Sequence, residues 1–138
     1  MAVTPERELV LTEQYRPPVD AVVIELPAGL VGDEPDTGAE SGANAAHREL
    51  EEETGYRAGD LTRLGRGPSS AGMSSEVIDF YLARNLTRTG PGGGTESEDI
   101  AVRVVPLSGL RAWLADRTAE GRLIDPKVYA GIWFLEGL

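Results

Sequence analysis

The chain has 138 residues and a mass of 14.7 kDa, enough for one domain with a buried core, so residues 1–138 read as a single domain. A formal charge of −10 and a pI near 4.5 exclude nucleic-acid backbone and anionic membrane as partners, and an anionic substrate would need a metal or placed arginines. With no cysteine, no signal-peptide pattern in residues 1–9 and no apolar run longer than residues 21–24, the chain is expected to be a cytoplasmic enzyme or binding protein.

Taken in order, residues 9–14 have strand character and lead into Tyr15-Arg16-Pro17-Pro18, where the prolines stop regular structure. Residues 21–26 form a second, more apolar strand closed by Pro27-Ala28-Gly29. A helix follows over about residues 42–54, with Ser41 as N-cap and Gly55 at the left-handed C-terminal position. Residues 61–64 form a short strand, and the Gly-, Ser- and Pro-rich residues 65–75 form a loop. Residues 77–83 are the strongest strand by β-branched and aromatic content. Residues 90–94, Gly-Pro-Gly-Gly-Gly, predict a mobile tether carrying Glu96, Glu98 and Asp99. Residues 100–105 are a strand ended by Pro106, and Ser108 caps a helix reaching residues 117–120. Asp125-Pro126 opens a last helix over 126–135 or beyond. Trp113, Trp133 and Phe134 read as core packing. Mixed strands with intervening helices predict an α/β sandwich, with a helix on either side of the sheet.

The run from Glu40 to Tyr56 holds the densest chemistry. Helical spacing puts Glu49, Glu52 and Glu53 at i, i+3 and i+4, so their carboxylates share one face. Glu51, Glu52 and Glu53 also crowd the last turn, where the helix dipole is already negative. Two readings fit this pattern: a solvated acidic face, or a site for a hard, oxygen-loving cation such as magnesium, manganese or calcium. A calcium module would need an Asp-rich loop with a fixed glycine, which the sequence lacks.

Residues 48–56, RELEEETGY, resemble the Nudix box, whose core reads R-E-U-x-E-E-x-G-U with U a bulky apolar residue; every specified position matches. Glu40 precedes Arg48 by seven intervening residues, as in the family, whereas Gly29 precedes Glu40 by ten where the family has five. Residues 32–38 therefore read as a lengthened surface loop. The ordering of elements is similar to the Nudix fold over nearly the whole chain, implying a Nudix-type α/β/α sandwich with a mixed sheet. Glu25-Leu26-Pro27-Ala28-Gly29-Leu30 and the 69–76 loop are similar to the ADP-ribose pyrophosphatase branch, although Ala71 stands where that branch has a proline. Members of that branch swap an N-terminal extension between the subunits of a homodimer; here only residues 1–8 precede the first strand expected.

The resemblance implies hydrolysis of a nucleoside diphosphate linked to another moiety, ADP-ribose to AMP and ribose 5-phosphate or another nucleotide sugar, with Mg2+ or Mn2+. It assigns Glu49, Glu52, Glu53 and the carbonyl of Ala28 to the metal, with Glu53 bridging ions. Arg48 orients the glutamates, or is a simple intrahelical ion pair. Glu96 would be the general base and Glu98 a further metal contact, through the Glu-x-Glu-Asp-Ile pattern of residues 96–100; an acidic surface turn is the alternative. Arg16 would pair with a substrate phosphate, or make an exposed salt bridge. Glu76 is a further contact on the metal or phosphate side, and His47 is a helix-surface residue. A nucleotide-binding regulatory module without turnover is the competing reading of function.

Overall fold

A computed structural model of the chain describes residues 1–32, 40–95 and 98–136. Its centre is strand β2, Glu8–Arg16, where Leu9, Val10 and Leu11 are all fully buried. A strand covered on both faces reads as a continuous apolar run rather than an alternating one. Leu9 and Leu11 enter one core, while Val10 enters the other.

Strand β1 (Ala2–Val3) lies beside β2, antiparallel to it, and β3 (Ala21–Glu25) continues along the same edge. Between β2 and β3 the chain turns through Pro17–Val19 and a left-handed Asp20 at φ 49°. After helix α1 (Gly42–Thr54) come β4 (Tyr56–Arg57), β5 (Asp60–Pro68), β6 (Val77–Arg84) and β7 (Thr87–Arg88). Strand β8 (Ile100–Pro106) runs antiparallel along the far edge of β2, followed by α2 (Leu110–Ala119), β9 (Leu123–Ile124) and α3 (Pro126–Glu136). The main sheet is seven-stranded and mixed: its order is β5-β6-β1-β2-β3-β9, β8 adds to β2, and β4 pairs β7 separately. Both β1–β6 and β3–β9 are parallel. Helix α1 covers one face through Leu50, against Val10, Ala58 and Ala83. Helices α2 and α3 cover the other through Leu110, Leu114, Val128 and Ile132. The result is a three-layer α/β/α sandwich.

Several expectations shift. The first strand is Ala2–Val3, not residues 9–14, because two residues suffice to bridge β2 and β6. The strand expected over 61–64 runs from Asp60 to Pro68: Gly65 stays in it, beside a bulge, because the Phe134 ring fills the space a side chain would need. Ser108 lies inside a 3-10 turn, Leu107–Gly109, and makes no cap. Trp133 is 69% exposed, while Trp113 and Phe134 pack against the core. Adjacent helical residues point about 100° apart, so Phe134 takes the inward direction and Trp133 cannot. Asp125 does cap α3, its Oδ1 accepting from the Lys127 N–H at 2.7 Å.

Candidate active site

Helix α1 starts and stops as its sequence dictates. Ser41 Oγ accepts from the Asn44 N–H at 3.2 Å, and Gly55, at φ 70°, donates its N–H to the Glu51 carbonyl at 2.8 Å. No basic residue lies in its acidic last turn, although Arg57 of β4 donates to Glu51 at 2.8 Å. The remaining carbonyls are met by the glycine-rich segment instead: Gly93 N–H donates to Glu53 O at 2.8 Å and Gly94 N–H to Glu52 O at 3.1 Å. A Cβ on Gly92 would strike the backbone of Thr54, and one on Gly55 the carbonyl of Gly90. The segment expected to be a mobile tether is thus a main-chain strap across the helix end. Glycine is needed there for close approach and for the left-handed turn.

The strap and the turn at residues 27–29 frame the carboxylates. Glu53 is 5% exposed, and its Oε2 accepts from the Ala28 N–H at 3.1 Å. The Glu49 carboxylate lies where a Cβ on Gly29 would stand, so a glycine at 29 lets that turn close on α1. Arg48 donates to Glu49 Oε1 at 2.8 Å and Glu52 Oε2 at 3.3 Å from Nη1, to Glu40 Oε1 at 3.3 Å from Nε, and to the Leu30 carbonyl at 3.2 Å from Nη2. It therefore does more than pair within its helix. Glu40 is nearly buried and also accepts from the Gly32 N–H at 2.9 Å.

Electrostatics single out Glu53. Burial pushes its carboxyl up to about 8, partly offset by the Ala28 N–H and reinforced by the charges of Glu49, Glu98 and Glu25. Glu49 is also raised, by burial first, against the pull of Arg48. Among the described residues no three carboxylates already stand as a coordination cluster, since Arg48 and the Ala28 N–H each hold part of the set. The donor set nevertheless fits a hard divalent ion: all oxygen, mutually repelling, and outnumbering Arg48, the one cation that pairs with Glu49 and Glu52 among the described residues.

The other expected residues fall around this centre. Arg16 Nε donates to Glu25 Oε2 at 2.8 Å, and both line a cleft of about 630 Å³ together with Ala28, Glu49 and Glu76. Ala28 contributes its N–H to Glu53. Glu98 accepts from the Thr95 N–H at 2.9 Å and hydroxyl at 3.1 Å, so its carboxylate turns into its own loop while its charge still acts on Glu49 and Glu53. Glu96 lies outside the described residues, as do residues 33–39 of the lengthened loop. His47 lies on the solvent side of α1, partly exposed. Sequence reasoning missed Glu25, Asp79 and Tyr81, all on the cleft wall. Strand alternation held the signal for two of them, because residues 77, 79 and 81 share one face of an otherwise apolar strand.

The Nudix domain family model matches residues 1–126. The chain belongs to the Nudix family. Its Nudix box is the second half of α1 with Gly55 and Tyr56, and the box glutamates are those just described. The chain is 32% identical over 138 residues to the methanol dehydrogenase activator of Bacillus methanolicus, an alignment covering 99% of this chain and 69% of that protein. It is 37% identical over 89 residues to the ADP-ribose pyrophosphatase of Bacillus subtilis strain 168, covering 63% and 44% respectively. To the GDP-mannose pyrophosphatase of Salmonella arizonae it is 34% identical over 126 residues, covering 85% and 61%. The Nudix chain thus spans between 44% and 69% of the length of these relatives. A crystal structure of an ADP compounds hydrolase shares the fold with a TM-score of 0.75 at 24% identity, covering 99% of this chain and 69% of that one. Among the described residues no helix is long and apolar enough to cross a membrane.

Proposed function

We propose that this Nudix domain hydrolyses the pyrophosphate bond of a nucleoside diphosphate linked to a second moiety, with ADP-ribose or another nucleotide sugar as substrate. The observation that carries the reading is buried Glu53, with no cation of its own, beside partly buried Glu49, both closed over by residues 27–29. Relatives named ADP-ribose pyrophosphatase and GDP-mannose pyrophosphatase support the substrate class.

Glu49, Glu52 and Glu53, with the Ala28 carbonyl and Glu98, would hold magnesium or manganese. The bound ion neutralises diphosphate charge and lowers the pKa of water at the site. Arg48 keeps Glu49 and Glu52 oriented, and Arg16, half exposed beside Glu25, offers a fork of donors to phosphate. Glu96 takes the proton of the attacking water, and the bridging P–O bond breaks to leave two monophosphates, AMP and ribose 5-phosphate from ADP-ribose. Glu76 contacts the phosphate side from the cleft wall. In this reading one domain acts on a small molecule, with neither nucleic acid nor membrane as partner, and the family's homodimer is the expected assembly.

A panel of ADP-ribose, GDP-mannose, NADH, dinucleoside polyphosphates and a nucleoside triphosphate, with and without magnesium, tests the proposal. Magnesium-dependent release of a nucleoside monophosphate from a nucleotide sugar, lost in Glu53→Gln, is the expected result. Full activity in Glu53→Gln would remove this helix as the metal site. The second reading, a nucleotide-binding module without turnover, is favoured by the relative named as an activator, which aligns over 99% of this chain. It expects binding without product across the same panel.

A further inference from the structure

Residues of β6 alternate between the two faces of the sheet. Phe80 and Leu82 pack in the core under α2 and α3, and Ala83 in the core under α1. Asp79 and Tyr81 therefore face α1, and both line the cleft. Gly42, in the first turn of α1, makes room for them: a Cβ there would stand 3.0 Å from the Tyr81 hydroxyl and 3.8 Å from Asp79 Oδ2. Hydroxyl and carboxylate oxygen thus flank the same spot.

Each has capacity left. Asp79 Oδ1 accepts from Arg63 Nε at 2.7 Å, which fixes the carboxylate. Asp79 Oδ2 lies 3.9 Å from Arg66 Nε, beyond hydrogen-bonding distance. Among the described residues nothing hydrogen-bonds the Tyr81 hydroxyl, which can both donate and accept. Gly42 precedes Glu49 by seven residues, a rise of about 10 Å along the helix. The pair therefore stands one chemical group further along the cleft than the carboxylates.

The chemistry narrows what binds there. Arg63 and Arg66 balance the Asp79 charge from outside the cleft and neither lines it, so the spot offers phosphate acceptor oxygens rather than a cation. A guanine edge presenting two adjacent donors would want both carboxylate oxygens, and Oδ1 is taken; an adenine edge, one donor beside one acceptor, would instead lose equally with and without a second sugar when either side chain is changed. Phe80 reaches the cleft wall but packs in the opposite core against Phe134, and the Tyr81 hydroxyl is set against α1. Sugar hydroxyls, each a donor and an acceptor, match one free carboxylate oxygen beside one phenol, and half-exposed Val77 supplies an apolar wall for the C–H face. We infer that Asp79 and Tyr81 are the specificity pair that recognises vicinal hydroxyls of the sugar joined through the diphosphate. This inference rests on the nucleotide-sugar reading of the site and adds to it the residues that select the sugar.

The test compares ADP-ribose with adenosine diphosphate methyl ester, which has the same nucleoside and diphosphate and no second sugar. Calorimetric binding and kcat/KM are measured for wild type, Tyr81→Phe and Asp79→Asn. Tyr81→Phe deletes one oxygen; Asp79→Asn keeps an acceptor for Arg63 and turns a donor toward the cleft. The preference for the sugar compound over the ester should fall about tenfold in each variant, the worth of one good hydrogen bond. A preference unchanged in both variants, or losses equal on the two compounds, overturns the inference. Wild type that hydrolyses neither compound but binds the sugar about tenfold tighter, a preference lost in Tyr81→Phe, refutes turnover and supports the pair. Equal turnover of both compounds by wild type refutes the pair and leaves the hydrolase reading standing.

Discussion

At the Glu53 side chain, burial outweighs a single N–H donor, so the proton leaves near pH 8 rather than in the ordinary carboxylate range. The consequence for stability has a definite sign. Below 4.5 the carboxyl is protonated in folded and unfolded chains alike; between 4.5 and about 8 the folded chain retains a proton that the unfolded chain has lost. The Glu53 contribution to metal-free stability is therefore whole below pH 4.5 and declines as pH rises, by on the order of 4 to 5 kcal/mol above pH 8. Glu53→Gln, keeping an acceptor for the Ala28 N–H, should be several kcal/mol more stable than wild type in urea at pH 8.5 with chelator, and equal to it near pH 4. Parallel pH curves for the two proteins would refute this. Magnesium should restore wild-type stability increasingly with pH and leave Glu53→Gln unaffected. Arg48→Lys is expected to lower kcat on the order of tenfold, because a point charge cannot span Glu40, Glu49, Glu52 and the Leu30 carbonyl together. Unchanged kcat and magnesium affinity would show that those contacts are incidental.

Among the elements, α1 and its strap show what local sequence conveys and what it leaves out. The limits of α1 were legible because Ser41 and Gly55 act on their own helix. The role of residues 90–94 was not, because glycine composition gives the freedom of a segment and not the surface that removes it. The same holds for Gly65, whose place in β5 depends on Phe134 sixty-nine residues away, and for Ser108, overruled by the 3-10 turn. Glu49, Glu52 and Glu53 could be found from spacing alone, whereas the Asp79–Tyr81 pair needs the strand's facing and the position of Gly42. Gly92→Ala places a β-carbon on the Thr54 backbone at φ 70°, and should lower stability by about 2 kcal/mol or more in urea denaturation. Gly72→Ala, with open space around its Cα, is the matched control and should stay within about 0.5 kcal/mol of wild type. Equal midpoints for the two variants would mean the strap is not held as described.

For the whole molecule, a charge of −10 opposes the approach of any nucleoside diphosphate. Raising ionic strength from about 0.01 to 0.15 M shortens the screening length from about 30 to 8 Å. KM for ADP-ribose should therefore fall with added salt at fixed free magnesium, and a KM that rises would place local cations such as Arg16 in control. Strand β2 is shared by both cores, so Leu11→Ala should cost about 2 to 5 kcal/mol and melt all three layers in one transition, with tryptophan fluorescence and helical dichroism coinciding. The β5–β6 hairpin meets the rest of the main sheet at residues 1 and 2, where Ala2 pairs with Ala83, the Met1 amino group donates to the Tyr81 carbonyl at 2.7 Å and the Ala83 N–H donates to the Met1 carbonyl at 2.7 Å. That hairpin carries Glu76, Asp79 and Tyr81, while β2, β3 and α1 carry Arg16, Glu25 and the box glutamates. The two walls of the cleft thus come from different stretches of chain that share both cores. Substitutions at the cleft-facing positions of the hairpin can retune that wall for a new sugar while core-facing Phe80, Leu82 and Ala83 keep it seated opposite the glutamates, a division of labour by which one hydrolytic centre can be carried from substrate to substrate.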